Sequence, residues 1–141
     1  MKFIVLCSLG VLAFFVFAGM QKHSSETIQN DAGSQLYAKY CVTCHQADGK
    51  GVRNMFPPLA GNEKVTGNPD EIIKIVLSGL EGPITVNERD YNMAMPPQNY
   101  LSDKQIADIL TYVRSSWENK ASPVSADEVL KIRKTIKPNP N

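Results

Sequence analysis

A mainly helical fold with long loops between its helices is what this sequence predicts, on three observations. Ser102-Asp103-Lys104-Gln105 and Ser125-Ala126-Asp127-Glu128 both have the capping-box form, a Ser followed three residues later by Gln or Glu. Asn68-Pro69-Asp70-Glu71 has a cap residue, a proline at the first helical position and acids in the first turn. Between Gly49 and Gly61, by contrast, Gly51, Pro57 and Pro58 break the chain too often for a long helix.

The elements follow in order along the chain. Phe3 to Met20 is a run of 18 residues without a charge behind Lys2, on the border between a signal-peptide core and a membrane span. Residues 1–20 are therefore expected to be a signal peptide, with Val16-Phe17-Ala18 as cleavage site, or an N-terminal membrane anchor. Cys7 follows the bulky Val5 and Leu6 and reads as apolar filler within that segment. Residues 21–32 are polar and aperiodic and read as a linker, with His23 as a solvated histidine. Leu36, Tyr37, Tyr40, Cys41 and Cys44 recur at spacings of three and four, which predicts a helix ending at the cysteine pair.

After the glycine- and proline-rich loop, Ile72, Ile73, Val76, Leu77 and Leu80 form the buried stripe of the helix that starts at Pro69 and ends at Gly79 or Gly82. Ile84-Thr85-Val86 and Tyr91-Asn92-Met93 predict a small β-hairpin across a four-residue turn, Asn87 to Asp90. Ile106, Ile109, Leu110, Val113 and Trp117 lie on one face of a helix running from Ser102 through Trp117. Val129, Ile132 and Ile136 belong to a last short helix. A chain of 141 residues thus divides into the leader, the linker, a domain over 33–118 and a C-terminal extension over 119–141 with its short helix.

Without Lys2 the chain carries 14 basic and 14 acidic residues. That balance argues against a nucleic-acid binder, which shows a clustered basic excess.

Chemistry concentrates at Cys41-Val42-Thr43-Cys44-His45. A structural zinc ion needs four ligands, and beyond the leader the chain has only these two cysteines, His45 and the linker His23. A thioredoxin-like redox pair sits beside a βαβ pattern, which is absent from the predicted elements. Covalent haem attachment has the signature Cys-x-x-Cys-His: two thiols one helical turn apart reach the two vinyl groups of one porphyrin, and the adjacent imidazole reaches the iron. From this composition the pattern arises by chance about 10⁻³ times per chain.

With these residues in place the sequence resembles the class I, mono-haem cytochromes c, in particular the small exported bacterial ones. The resemblance covers residues 33 to about 118 and rests on GSQLYAKYCVTCHQADGKG, FPPLAGN, GPITV with YNMAMPP, and LSDKQIADILTYVRSSW, in the family's order. SPVSADEVLKIR resembles the C-terminal extension of that subgroup. The resemblance implies three to five helices wrapped round one covalently bound haem c. It also implies that Gly33 lets the first helix cross closely against the Leu110–Tyr112 region of the late helix, and that the Pro57 carbonyl accepts the second ring N–H of the proximal ligand His45.

A histidine–methionine pair raises the reduction potential of haem iron, and thioether sulfur suits soft reduced iron. Met20 ends the leader and Met55 is on the proximal loop, which leaves Met93 and Met95. Pro96 holds Met95 in extended geometry, and the family's ligand methionine immediately precedes proline, so Met95 is the expected distal ligand. Met93, two residues earlier and on the same side of an extended chain, is expected to be a pocket wall. Val52, Phe56, Leu59, Val76, Leu77, Ile84 and Tyr91 are the other wall candidates, and Arg53 is a candidate partner for a haem propionate.

With both axial positions filled by protein, the expected function is one-electron transfer. Expected partners are a donor dehydrogenase or quinol-oxidising complex and an acceptor oxidase or reductase, outside the inner membrane, with the protein soluble or tethered through residues 3–20. The alternatives are a haem enzyme of peroxidase or nitrogen-oxide reductase type with a displaceable Met95, and a haem-bearing subunit of a larger oxidoreductase.

Overall fold

The structure, a computed structural model, describes residues 31–136. The expected leader, with Cys7, Met20 and the 3–20 membrane contact, lies outside the described residues, as does His23. Among the described residues helix α1 covers 31–40, and Asp31 and Ala32, expected at the end of the linker, are helical. After a turn at Cys41 come α2 (Val42–His45), α3 (Glu63–Thr66) and α4 (Pro69–Ser78). Strands β1 (Ile84–Val86) and β2 (Arg89–Tyr91) follow, then α5 (Asp103–Ser115) and α6 (Ala126–Thr135). Six helices are thus described, two of them single turns of four residues.

The helix starts follow the caps in the sequence. Asn68 Oδ1 accepts from the Asp70 N–H behind Pro69. Ser102 and Ser125 each form a complete capping box, with Gln105 and Glu128 respectively. Helix α3 was not expected, yet its signal was present: Asn62 Oδ1 accepts from Lys64 N–H as an N-cap ahead of Glu63.

Three boundaries differ from expectation, the first being that α6 stops at Thr135 with Ile136 as its extended cap. Helix α5 ends at Ser115 because Ser116 turns extended and Trp117 and Glu118 take left-handed φ of 51° and 72°. The hairpin turns over two residues, not four. Ile84 pairs with Tyr91, Thr85 with Asp90 and Val86 with Arg89, leaving Asn87 and Glu88 at φ 49° and 62°, the two-residue turn whose twist suits flanking strands. Thr85 Oγ1 also donates to Asp90 Oδ1 at 2.8 Å, which holds that register.

The core forms where α4, α5 and α6 meet. Ile73, Leu77, Ile106, Leu110 and Val129 are fully buried there, joined by Tyr37 from α1 and by Val65 and Val124. Segment 119–136 belongs to this core. Thr111 Oγ1 donates to the Val124 carbonyl and accepts its N–H, and Arg133 on α6 reaches Asp103 Oδ1 and the Asn99 and Leu101 carbonyls, each at 2.7 Å. Arg114 is buried in carbonyls. It donates to Val65 and Gly67 at the end of α3, at 2.6 and 3.0 Å, and to Ser122 at 2.8 Å.

Helix α1 crosses α5 at Gly33. A Cβ there would fall on the Asp108 carbonyl oxygen and lie 2.7 Å from Tyr112 Cβ, so the close approach spans Asp108 to Tyr112, reaching earlier along α5 than the Leu110–Tyr112 region. Tyr37, Tyr112 and Trp117 then pack as three rings with centroids 5.2–5.6 Å apart, which locks the first helix to the end of the late one.

Candidate functional site

A single turn of helix brings three chemical groups together. Cys41 caps α2, and Cys44 and His45 complete it, so both thiols and the imidazole border the same cleft. The cysteines are half-buried free thiols. Burial pushes the Cys41 thiol up to about 11, with Cys44 adding to the shift, so at neutral pH it is held as the thiol.

His45 is fixed by its backbone and by its ring. Its carbonyl accepts from Gly51 N–H at 3.0 Å, and Nδ1 lies 3.1 Å from the Pro57 carbonyl oxygen. A carbonyl can only accept, so Nδ1 carries the hydrogen and Nε2 keeps the lone pair of a neutral imidazole. Burial lowers the His45 pKa, and the bond to Pro57 opposes that shift. Gln46 then turns the chain sharply at φ 60° and ψ 162°, a region costly for a side-chain-bearing residue. Tyr37 Oη steadies it by donating to its carbonyl at 2.6 Å.

The methionine segment comes from elsewhere in the chain. Leu80 and Met95 exchange both backbone N–H···O bonds at 2.9 Å, and Gln98 N–H donates to the Val76 carbonyl at 2.8 Å. The backbone of Met95 is thereby tied to the end of α4. Gly79 makes room for this at φ 74°: a Cβ there would sit 2.6 Å from the Met95 carbonyl oxygen and 2.9 Å from Pro97 N.

Met95 and Met93 border the same cleft as Cys41, Cys44 and His45. Met95 is half-buried, whereas Met93 is 51% exposed, which puts Met93 at the mouth. The cleft measures about 1190 Å³ including the solvent at that mouth. Of the residues expected to line it, Phe56, Pro57, Leu59, Val76, Ile84 and Tyr91 do so.

Three expected residues are placed elsewhere. Leu77 points into the helical core at 2% exposure. Val52 pairs with Phe56 across the small turn 52–56, which projects Arg53 into solvent, and neither borders the cleft. Lys64 on α3 is the cation that borders it among the described residues. Sequence reading also missed Ile72, Ile75, Leu80, Ile109, Leu110 and Val113 as cleft walls. Their helical spacing marks them as buried but cannot say whether they face another helix or a cavity.

Large, mainly aliphatic and aromatic walls with soft sulfur and imidazole donors fit a broad apolar macrocycle carrying a transition metal. Among the described residues, no group of three or more His, Cys, Asp or Glu side chains is placed to hold a bare metal ion.

Comparison with known proteins agrees with that chemistry. The model of the family described as Cytochrome c matches residues 30–117. The chain is 42% identical over 113 residues to the cytochrome c subunit of a quinone alcohol dehydrogenase of Gluconobacter oxydans, which covers 78% of this chain and 23% of that subunit. It is 36% identical over 122 residues to the cytochrome subunit of a fructose dehydrogenase of Gluconobacter japonicus, covering 82% and 25%. With cytochrome c-552 of Thermus thermophilus it shares 31% identity over 132 residues, covering 87% and 84%. The chain therefore spans about a quarter of the length of the dehydrogenase subunits and most of the length of cytochrome c-552.

Proposed function

The chain belongs to the cytochrome c family, and from that premise we propose that it is a one-electron carrier holding a single haem c between His45 and Met95. The observation that carries this reading is the sharing of one apolar cleft by Cys41, Cys44, His45 and Met95, which come from two separate elements. Bound there, haem iron supplies reversible one-electron chemistry between the ferrous and ferric states.

The chain's own residues do the rest. Cys41 and Cys44 would hold the haem as thioethers, each S–H adding across one of its vinyl groups. His45 presents Nε2 because Pro57 takes the Nδ1 hydrogen. Met95 offers a thioether on a backbone tied to Leu80 and stiffened by Pro96. The aliphatic walls exclude water and lower the polarity around the metal. Lys64, exposed like Arg53 but bordering the cleft, would be the cation placed to pair with a haem propionate. With His45 and Met95 both engaged in holding the iron, electron exchange would be favoured over substrate turnover at the metal.

Similarity to cytochrome subunits of dehydrogenases supports a dehydrogenase as electron donor, with the chain acting as carrier or as haem-bearing subunit; the acceptor in this proposal is a terminal oxidase or reductase. Among the described residues no helix is long and apolar enough to cross a membrane. Export to the periplasm, and any tether, therefore rest on the uncharged run 3–20. Docking is brief and small in area, as at other electron-transfer interfaces.

Spectroscopy of the purified native protein tests this. The expected result is covalently bound haem by intact mass, a low-spin ferric spectrum with a methionine-to-iron charge-transfer band, and no carbon monoxide binding when reduced. Met95→Ala abolishes the band. High-spin iron that takes exogenous ligands in the parent protein refutes the carrier in favour of a haem enzyme.

A further inference from the structure

We infer that Trp117 and Asn119, in the left-handed turn after α5, are positioning residues for the His45 imidazole, acting by clamping the loop whose Pro57 carbonyl accepts the Nδ1 hydrogen. This rests on the haem reading of the site and adds the device that holds its proximal side.

Trp117 and Glu118 at φ 51° and 72° occupy a backbone region that costs a non-glycine residue energy, so the surrounding structure must over-determine it. The turn is secured by two contacts with the proximal loop. The Trp117 indole N–H donates to the Ala47 carbonyl at 3.1 Å, and its ring lies so close over Gly49 that a Cβ there would be 2.5 Å from ring carbons. Asn119, 5% exposed, uses both of its amide hydrogens and its oxygen. Nδ2 donates to the Leu59 and Val113 carbonyls at 3.1 and 2.8 Å, and Oδ1 accepts from Gly61 N–H at 3.0 Å.

These contacts hold both ends of one loop. The Gly49 carbonyl accepts from Leu59 and Ala60 N–H at 2.7 and 3.0 Å, so the stretches 47–49 and 59–61 are bonded to each other as well as to the turn. Pro57 lies between them. From the other side Gly51 approaches so closely that a Cβ would lie 2.6 Å from the Pro57 oxygen. The carbonyl that sets the imidazole's tautomer and orientation is thus gripped through Asn119 and Trp117. Neither side chain hydrogen-bonds to His45, and Asn119 lies beyond residue 117, where the family match ends.

The test uses the full-length, haem-loaded ferrous protein and NMR exchange of the His45 Nδ1 hydrogen with solvent. Asn119→Ala is expected to speed that exchange about tenfold or more, the scale of outer-shell effects at metal sites. Trp117→Phe keeps one aromatic ring and loses the N–H donor with the rest of the indole, so a smaller rise is expected, and it decides the matter if Asn119→Ala does not fold. Val129→Ala, in the α6 core, serves as the destabilised control and is expected to leave the exchange at the parental rate. Parental exchange in both clamp variants, or an equal rise in the control, overturns the inference while leaving the haem reading intact. A parent without a low-spin haem spectrum overturns the haem reading and this inference together.

Discussion

Gly79→Ala tests how the methionine segment is held. Gly79 has φ 74° and ψ −177°, a combination essentially reserved for glycine, and an alanine there carries about 1–3 kcal/mol of strain. Its Cβ also lands 2.6 Å from the Met95 oxygen, 2.9 Å from Pro97 N and 3.1 Å from Pro97 Cδ. Two of these three atoms belong to the backbone and the third to the proline ring, so no flexible side chain can yield. Relief requires segment 95–97 to move away from α4, stretching the reciprocal Leu80–Met95 bonds of 2.9 Å, each worth about 1 kcal/mol net. The combined loss is about 3–5 kcal/mol, a large part of the stability of an ordinary domain. Two measurements read it: the urea midpoint of the ferric protein and the pH at which the methionine-to-iron band disappears. Gly79→Ala should lower the midpoint and lose the band under milder conditions. Gly61→Ala is the control, because it also forces a positive φ, 61°, but meets no atom within 4 Å. It should cost about 1 kcal/mol and keep the parental band. If Gly79→Ala retained both the parental midpoint and the parental band, the assignment of Gly79 as the spacer that seats Met95 would be refuted.

Arg114→Met removes the donors to the Val65, Gly67 and Ser122 carbonyls and should cost about 3 kcal/mol or more in urea unfolding. Glu128 is held below the usual carboxylate range, first by the Ser125 backbone N–H and then by the Ser125 hydroxyl. Its folded pKa is thus below its unfolded one, so its contribution is complete above the unfolded value and disappears as pH falls through the folded one. The stability gap between the parent and Glu128→Gln should accordingly shrink on going from about pH 6 to pH 3, and a gap independent of pH would rule out that origin. Met93→Leu, at a side chain half in solvent at the cleft mouth, should keep the parental low-spin spectrum. Loss of the methionine band in that variant would reverse the roles of Met93 and Met95.

What could be read before any coordinates was what a few neighbouring residues decide among themselves. Ser102 with Gln105, Ser125 with Glu128 and Asn68 with Asp70 make cap bonds over two or three residues, so those helix starts are visible in the chain. The cysteine–cysteine–histidine constellation is equally local, because one helical turn sets its geometry. The hairpin was legible as two short runs, but its turn was not. Asn87-Glu88 lacks the glycine that usually advertises two left-handed residues, and the strand pairing imposes them. Leu77 and Val76 are neighbours on one apolar stripe, yet one faces the helical core and the other the cleft, since periodicity gives a face and not the partner opposite it.

The sequence by itself thus determined the helical class, the caps and the haem-attachment motif, all consequences of contacts within a turn or two. Tertiary structure alone decided which walls close the cleft, that Lys64 rather than Arg53 borders it, and that segment 119–136 is part of the core. It also decided that Asn119 reaches Leu59 and Gly61, 60 and 58 residues earlier in the chain. An asparagine in a short polar stretch looks like any loop residue until folding removes it from water. Its amide must then find partners, and in this fold they are the Leu59 carbonyl and Gly61 N–H of the proximal loop and the Val113 carbonyl of α5.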